Sequence, residues 1–214
     1  MRSRWFAPVC ILVMVIFSVA IYHRLPKQLP AHWSASGAVI MGDRLSGVVS
    51  LPVVTTLVWL LLSVLPRFDP RRNSYDSFIG TYRLMTNATI LFLAGLYIAT
   101  LGAALGWSIS VPQIALVGSG LLLVVVGNEM GRVHMSSFVG VRTRWTMSDP
   151  EVWRRTNRVG ARLMFVTGLL IVLVGLFSPV DIALPIMLAM IVSTTLFLLW
   201  YSYHLSRQHI KVKS

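Results

Sequence analysis

The uncharged stretch formed by residues 84–128 constrains this chain more than any other feature, because it holds 45 residues without an acidic or basic side chain. A single helix of that length, at about 1.5 Å per residue, would be more than twice as long as the hydrocarbon core of a bilayer is thick, roughly 30 Å. The stretch must therefore fold back. Gly106 and Pro112 bound the expected turn, so we predict two membrane-spanning helices at about 86–105 and 112–128.

Four further runs, uncharged except for Arg162 near the start of the third, have the length and composition of membrane spans, at about 5–22, 47–65, 161–177 and 182–203. Only 12% of the residues are charged, whereas soluble domains carry about 25%. Pro8, Pro52 and Pro185 are expected in first helical turns, where the missing N–H has no helical partner. The sequence predicts an all-α, polytopic membrane protein with six transmembrane helices.

The first run has a competing interpretation as a cleaved signal peptide, because Ser18-Val19-Ala20 resembles a small-x-small cleavage site. Its apolar stretch is longer than the roughly 7–15 residues of a usual signal core. We therefore favour a retained first helix.

The distribution of basic residues predicts the orientation. With six spans, 16 of the 19 lysines and arginines fall on the side of the two termini and three on the other side. The positive-inside rule then places both termini in the cytoplasm and the polar segment 23–46 outside. That segment is punctuated by prolines and glycines and shows no helical period.

Two other functional classes are disfavoured. The net charge of +12 is explained by loop arginines and lysines beside membrane spans, and no nucleic-acid-reading motif accompanies it. The five histidines lack H-E-x-x-H spacing, and Cys10 is the single cysteine, so we expect neither a metal nor a cofactor. His32, Ser34, Ser36 and Asp43 share a loop without a nucleophile elbow, and we expect no enzyme activity.

The interiors of the predicted spans carry no Asp, Glu, Lys, Arg or His. Ion-coupled transporters usually keep such groups within the membrane. Transport of a small solute or peptide, or a channel-like activity, remains the alternative function.

The segment between the fourth and fifth spans contains two local patterns. Apolar and polar residues alternate over 139–147, which indicates an extended stretch. Ser148 or Asp149 can then cap a helix, with Glu151 placed as in a capping box. In that helix Val152 and Thr156 share a face and the arginines lie mostly off it, so we predict an amphipathic cytoplasmic linker helix before the fifth span.

Two interpretations of this segment stay open. It could bind anionic lipid headgroups, at about 1 kcal/mol per basic residue near the surface. It could instead dock a cytoplasmic partner through Trp145, Trp153 and the arginines, because Trp and Arg are enriched at binding hot spots.

The same segment resembles the SdpI family of bacterial membrane proteins, whose motif is a glycine, then Arg-Thr-x-Trp-Thr, then Val-Trp-x-x-Thr-x-Arg. The matching residues here are Asn128, Gly131, Gly140, Arg142, Thr143, Trp145, Thr146, Val152, Trp153, Thr156 and Arg158. Two positions depart from the family, which usually has proline where Arg144 stands and histidine where Asn157 stands.

The first half resembles the uncharacterised domain that often precedes the SdpI segment. The matching residues are Leu29, Pro30, His32, Trp33 and Gly37 in the outer loop, and Pro66, Asp69, Pro70, Tyr75 and Tyr82 in the cytoplasmic loop. The acid that usually follows the glycine stands later here, at Asp43. We accordingly divide the chain into an N-terminal three-helix part, 1–110, and an SdpI-like part, 111–214, with its motif loop at 129–160.

The resemblance implies a multi-pass protein of the bacterial cytoplasmic membrane that gives immunity to a secreted toxin peptide. It also implies a prototype that holds a transcriptional repressor at the membrane. The residues expected to bind such a cytoplasmic partner are Asn128, Gly140, Arg142, Thr143, Trp145, Thr146, Trp153, Thr156 and Arg158. Those expected to contact a ligand outside are Pro30, His32, Trp33 and Gly37. Apart from the lipid bilayer, the expected partners are thus a peptide outside and a protein inside, with no direct nucleic acid.

Overall fold

Six long α-helices, one short α-helix, three 3-10 helices (Tyr22–Arg24, Leu65–Arg67 and Arg72–Ser77) and a β-hairpin make up the part of the chain that the computed structural model describes, residues 3–33 and 39–213. Side chains are described for residues 3–30 and 39–208. The helices are α1 Phe6–Ile21, α2 Arg44–Val64, α3 Ile79–Ala104, α4 Val111–Met130, the short α5 Arg144–Ser148, α6 Pro150–Phe177 and α7 Val180–Lys213. Each of the six long helices is apolar enough to cross a membrane, which confirms the predicted all-α polytopic fold.

The long helices alternate in direction, so the bundle has two distinct ends. The end at which α3 and α6 begin is called the motif end, and the end that carries the β-hairpin is called the hairpin end. At the motif end, Asn87 donates a 2.9 Å hydrogen bond to the carbonyl of Ser3, which joins the start of α1 to the first turns of α3. Helix α2 runs from the hairpin end to the motif end.

The outer segment contains a β-hairpin that sequence patterns did not predict. Strands β1 Gln28–Trp33 and β2 Val39–Asp43 are antiparallel, with Gln28 opposite Asp43 and an irregularity in register after Pro30. Leu29 is fully buried against α2 and α3. A Cβ atom at Gly47 would lie 2.9 Å from the Cβ of Leu29, so the strand and the first turn of α2 are in close contact.

Helix α2 begins earlier than predicted, and this places Pro52 inside the helix instead of in its first turn. Asp43 caps the helix by accepting a 3.0 Å hydrogen bond from Ser46 N. Proline removes the N–H that would bond to the carbonyl of Val48, four residues earlier. The hydroxyl of Tyr97 on α3 donates a 3.1 Å hydrogen bond to that carbonyl, so an interhelical contact satisfies it.

The predicted turn between α3 and α4 is confirmed. Gly106 has φ +90°, a conformation that glycine adopts without steric cost. Trp107 N donates to Gly102 O at 2.9 Å, and Gly106 N donates to Ala103 O at 3.1 Å. These two bonds form a Schellman motif, which ends α3 and satisfies its last carbonyls.

Helices α4 and α6 approach each other closely enough to place backbone against backbone. A Cβ atom at Gly120 would lie 2.8 Å from Gly168 O, and one at Gly168 would lie 2.6 Å from Gly120 O. Gly127 is equally close to the backbone of α6 at Phe165. Small residues thus allow α4 and α6 to approach each other closely at Gly120, Gly127 and Gly168.

The last two long helices exceed their predicted bounds. Helix α6 is continuous, so the predicted linker helix forms its first turns. Helix α7 begins at Val180, which places Pro185 in its interior, and it continues to Lys213, beyond the predicted end of the sixth span at about residue 203.

Candidate functional site

The segment 144–148 at the motif end is helical, which corrects the expectation of an extended stretch over 139–147. Thr143 accepts a hydrogen bond from Thr146 N at 3.1 Å, and Thr146 accepts one from Thr143 N at 2.8 Å. This reciprocal capping box starts α5. Local capping therefore outweighs the alternating pattern that had suggested a strand.

The predicted start of α6 is confirmed at Asp149. Its Oδ1 accepts hydrogen bonds from Glu151 N at 2.8 Å and Val152 N at 3.3 Å, and Pro150 occupies the first turn. Glu151 pairs with Arg154 and Arg155 at 2.8 and 2.6 Å.

Four arginines of α6 form one exposed stripe, which we call the arginine face: Arg154, Arg155, Arg158 and Arg162. At 3.6 residues per turn they fall within about 100° around the helix. Glu151 neutralises part of the charge of the first two. Within the described residues, Arg158 and Arg162 form no ion pair, so their guanidinium groups are the most available cations of the stripe.

The opposite face of α6 is buried in the protein. Val152 and Thr156 are fully buried, Asn157 is 2% exposed and Trp153 is 3% exposed. The indole of Trp153 packs in an aromatic cluster with Tyr75, Phe78, Tyr82 and Val133. Trp153 therefore supports the fold, and its predicted role as an accessible anchor for a partner is corrected.

The loop between α4 and α5, residues 131–143, is held onto that buried face by Gly140. Gly140 has φ +112°. A Cβ atom there would lie 2.6 Å from the Trp153 ring and 2.8 Å from Asn157 Oδ1. The motif glycine is thus required both by its backbone conformation and by the space that the indole occupies.

Asn157 makes the second connection between this loop and α6. Its Oδ1 accepts a 2.8 Å hydrogen bond from Val141 N, and its Nδ2 donates to Trp153 O at 3.0 Å. Both ends of the amide are used. Asn157, which occupies the position where the family usually has histidine, therefore bridges the loop and the helix.

A buried carboxylate joins the loop after α2 to the loop before α5, and we call this group the Asp69 clasp. Asp69 is 2% exposed. Its Oδ1 accepts from Arg71 N at 2.8 Å, and its Oδ2 accepts from Ser137 N at 2.7 Å and from the Tyr75 hydroxyl at 3.1 Å. The clasp connects the N-terminal part of the chain directly to the SdpI-like part.

The clasp stabilises Asp69 in its charged form. Burial by itself raises the pKa of this carboxyl, but the hydrogen bonds from Arg71, Ser137 and Tyr75 outweigh that effect and bring the pKa below its usual value. For Tyr75, burial and the neighbouring Asp69 carboxylate both raise the pKa of the hydroxyl. The pair is therefore a carboxylate with a neutral phenol at neutral pH.

A second buried acid, Glu129, lies in the last turn of α4. It is 3% exposed, and it accepts a hydrogen bond from Thr81 at 2.8 Å and pairs with Arg132 at 2.8 Å. Helix α4 is thus longer than the uncharged run that predicted it, and Glu129 belongs to its final turn. Glu129 was not among the predicted site residues, although the sequence shows an acid directly after the last apolar turn.

The predicted partner-binding residues divide into an exposed and a buried group. Asn128, Arg142 and Arg158 are exposed, and Arg142 donates to the carbonyl of Ser137. Trp145 is half-buried and meets Tyr203 of α7 edge to face at 5.1 Å between ring centroids. Thr143, Thr146 and Thr156 are buried, so these three act within the protein.

The predicted outer contact residues lie on the hairpin. Pro30, His32 and Trp33 belong to β1; the side chains of His32 and Trp33, and all of Gly37, lie outside the described residues. Within the part of the chain that the structure describes, no three His, Cys, Asp or Glu side chains are close enough to hold a metal ion.

Two family models match separate segments of the chain. The model of the SdpI/YfhL protein family matches residues 132–202, which include the arginine face and the loop held by Gly140. This chain carries an SdpI family domain. A domain of unknown function, DUF1648, matches residues 9–56, which include most of α1 and the hairpin.

Two curated relatives match this SdpI-domain chain. It is 25% identical to Immunity protein SdpI of Bacillus subtilis over 198 residues, which are 91% of this chain and 93% of the relative. It is 38% identical to the uncharacterised protein YfhL of Bacillus subtilis over 63 residues, which are 28% of this chain and 57% of that protein. No solved structure matches.

Proposed function

We propose that this chain is an immunity and sensor protein of the bacterial cytoplasmic membrane. In this proposal it protects the cell against a secreted toxin peptide and holds a cytoplasmic repressor at its motif end. The observation that carries the proposal is the similarity to Immunity protein SdpI, which extends over 91% of this chain. A match of that extent includes both the hairpin and the arginine face.

The shape of the motif end supports a docking role. The motif residues Gly140, Trp153 and Thr156 are used inside the protein, and the contact between Gly140 and Trp153 holds the loop that carries Arg142. The arginine face remains exposed on a rigid helix. Guanidinium groups held in this way can bind carboxylates in the bidentate geometry that a protein partner offers.

The orientation belongs to the same proposal. The positive-inside distribution of basic residues supports a cytoplasmic motif end, where an intracellular partner would be reached, and an external hairpin, where a secreted peptide would arrive. The hairpin is the largest structure at its end of the bundle, since the other connections there are the short turns after α3 and α6.

A physical route joins the two ends. The hairpin packs on the first turn of α2 through Leu29, and Asp69, five residues after the end of α2, binds Ser137. A displacement of α2 along its axis would therefore move the loop that carries Arg142. This route complements the continuity of α6, whose arginine face and membrane span are one helix.

Complementation tests the proposal. The chain is expressed in Bacillus subtilis in place of Immunity protein SdpI, and survival is scored in co-culture with toxin-secreting cells. We expect survival well above that of the empty-vector strain. His32→Ala and Trp33→Ala should abolish protection at unchanged protein levels. Absence of protection by correctly inserted wild-type chain would contradict the immunity role, and full protection by both variants would contradict the hairpin's role.

A further inference from the structure

A long groove lies between α1 and α2 on the membrane-facing side of the bundle. It has a volume of about 640 Å³. Its walls are apolar and include Val15 and Val19 on α1 and Val49, Val53 and Leu57 on α2. These side chains are between 44% and 71% exposed, so in a bilayer the groove is open to lipid.

The length of the groove along the helix axis corresponds to the thickness of one leaflet of a bilayer. Along α2 its lining extends from Leu45 to Leu57, which at about 1.5 Å per residue is about 18 Å. Half of a hydrocarbon core of roughly 30 Å is about 15 Å. An acyl chain of the leaflet at the hairpin end therefore fits the length, whereas a complete transmembrane helix would extend well beyond it.

Two hydroxyl groups along the groove are already engaged within the protein. Ser18 donates to Met14 O at 2.6 Å, and Thr56 donates to Pro52 O at 2.8 Å. The groove thus offers hydrocarbon contact without strong polar demands, as an acyl chain requires.

Basic residues lie close in the chain to the residues that line the groove at the hairpin end. His23, which lines it, is followed by Arg24, and Lys27 precedes β1; all three side chains are exposed. Arg44 lies over the ring of Tyr22, another lining residue, at 5.4 Å, and its Nε donates to Pro26 O at 3.0 Å. The nearby acid Asp43 is engaged by Ser46 through both carboxylate oxygens.

We propose that this groove is a binding site for one anionic phospholipid, with an acyl chain between α1 and α2 and its phosphate headgroup beside Arg24, Lys27 and Arg44. The basic residues at the hairpin end of the groove complement a negatively charged headgroup, and the groove is about as long as one leaflet is thick. Both properties favour this occupant. In the predicted topology, these three cations are the only lysines and arginines on the outer side of the membrane. The site is independent of the motif end and of any repressor.

Two neighbouring valines on α2 provide a matched test. Val53 lines the groove and is 47% exposed, whereas Val54 is 45% exposed and lies outside the lining. Val53→Trp would fill the groove, and Val54→Trp would add the same indole to a lipid-facing surface. The full chain is reconstituted in nanodiscs of equal parts phosphatidylglycerol and phosphatidylcholine, and retained lipid is counted by native mass spectrometry.

We expect the wild type and Val54→Trp to retain one phosphatidylglycerol. In Val53→Trp the fraction of protein with bound phosphatidylglycerol should fall by roughly tenfold or more, because the indole excludes the acyl chain from the apolar groove. The double change Arg24→Gln and Lys27→Gln should remove the preference for phosphatidylglycerol over phosphatidylcholine. Arg44 is left intact because it also holds the hairpin.

Three results would overturn the proposal. Equal lipid retention by Val53→Trp and Val54→Trp would place the lipid elsewhere. A wild-type dimer without bound lipid, converted to a monomer by Val53→Trp, would assign the groove to a second copy of the chain. Equal retention of the two lipids by the wild type would contradict recognition of an anionic headgroup. Circular dichroism confirms that each variant is folded.

Discussion

The side chain of Asn157 accepts a 2.8 Å hydrogen bond from the backbone N–H of Val141, and this bond fastens the loop before α5 to α6. Replacement by leucine keeps the volume but leaves that N–H without its acceptor. We expect Asn157→Leu to lower the free energy of unfolding by about 1–3 kcal/mol, measured by thermal or denaturant unfolding of the purified chain.

Asn157→His is the informative control, because the resemblance gives histidine as the family's usual residue there. A neutral imidazole has one nitrogen that can accept the bond from Val141. We expect this variant to keep most of the stability that Asn157→Leu loses. A loss as large as that of leucine would show that the amide is not replaceable by another acceptor.

Gly140→Ala should destabilise the motif end by roughly 1–3 kcal/mol. Its φ of +112° is unfavourable for alanine, and the new Cβ would lie 2.6 Å from the Trp153 ring. Gly131→Ala is the matched control, because the nearest atom to a Cβ there is Ala161 Cβ at 3.6 Å. Unfolding monitored by the tryptophan fluorescence measures both, and equal effects would contradict this account of the loop.

The Asp69 clasp predicts how stability depends on pH. The pKa of Asp69 is lowered in the folded protein, so its contribution is present above the unfolded value of about 3.9 and is lost as pH falls through the lower folded value. Asp69→Asn should weaken the clasp at neutral pH, by about 1.5–3 kcal/mol for each hydrogen bond to the charged group that is lost. It should also flatten the decline in stability below pH of about 4. Asp76→Asn, an exposed acid in the same loop, is the control, and the same flattening there would assign the effect to general charge.

Arg158→Lys separates partner docking from lipid binding at the arginine face. Lysine keeps the charge but cannot form the bidentate contact of a guanidinium group. If the face docks a protein, we expect co-purification of the cytoplasmic partner to fall about tenfold while flotation with phosphatidylglycerol vesicles is unchanged. Arg67→Lys, an exposed arginine outside the face, should change neither. Undiminished recruitment by Arg158→Lys would contradict docking through this residue.

Cysteine labelling tests the proposed orientation. In a Cys10→Ala background, Lys27→Cys at the hairpin end should react with an impermeant maleimide in intact cells. Ser148→Cys at the motif end should react after permeabilisation. Both positions are exposed, so the reversed pattern would place the motif end outside.

The six spans were predictable because lipid imposes a length and an absence of charge on each of them. The hairpin was not, since Gln28 to Trp33 includes a proline and a register irregularity and shows no regular alternation. The extended prediction for 139–147 was wrong over α5 because the pattern ignored the reciprocal cap of Thr143 and Thr146.

The burial of Trp153 could have been anticipated from its own helix. Trp153, Asn157 and Gly160 follow each other at helical spacing on the face away from the arginines. Asp69 was visible as a motif residue of the first half, but its contact with Ser137 joins positions 68 residues apart, and no local pattern encodes such a pairing.

Neighbouring glycines of α4 differ in whether a second substitution can compensate for their replacement, because Gly120 faces the backbone of α6 and Gly118 faces a side chain of α3. At Gly120 and Gly168 an added Cβ would meet the other glycine's carbonyl oxygen, and no change of side chain at the facing position can remove a backbone atom. At Gly118 the nearest atoms belong to the ring of Phe92, at 2.7 Å. A smaller residue at position 92 would make room for alanine at position 118, so substitutions at these two positions can compensate for each other. Gly120 and Gly168 have no such compensating partner, so each is closed to replacement on its own.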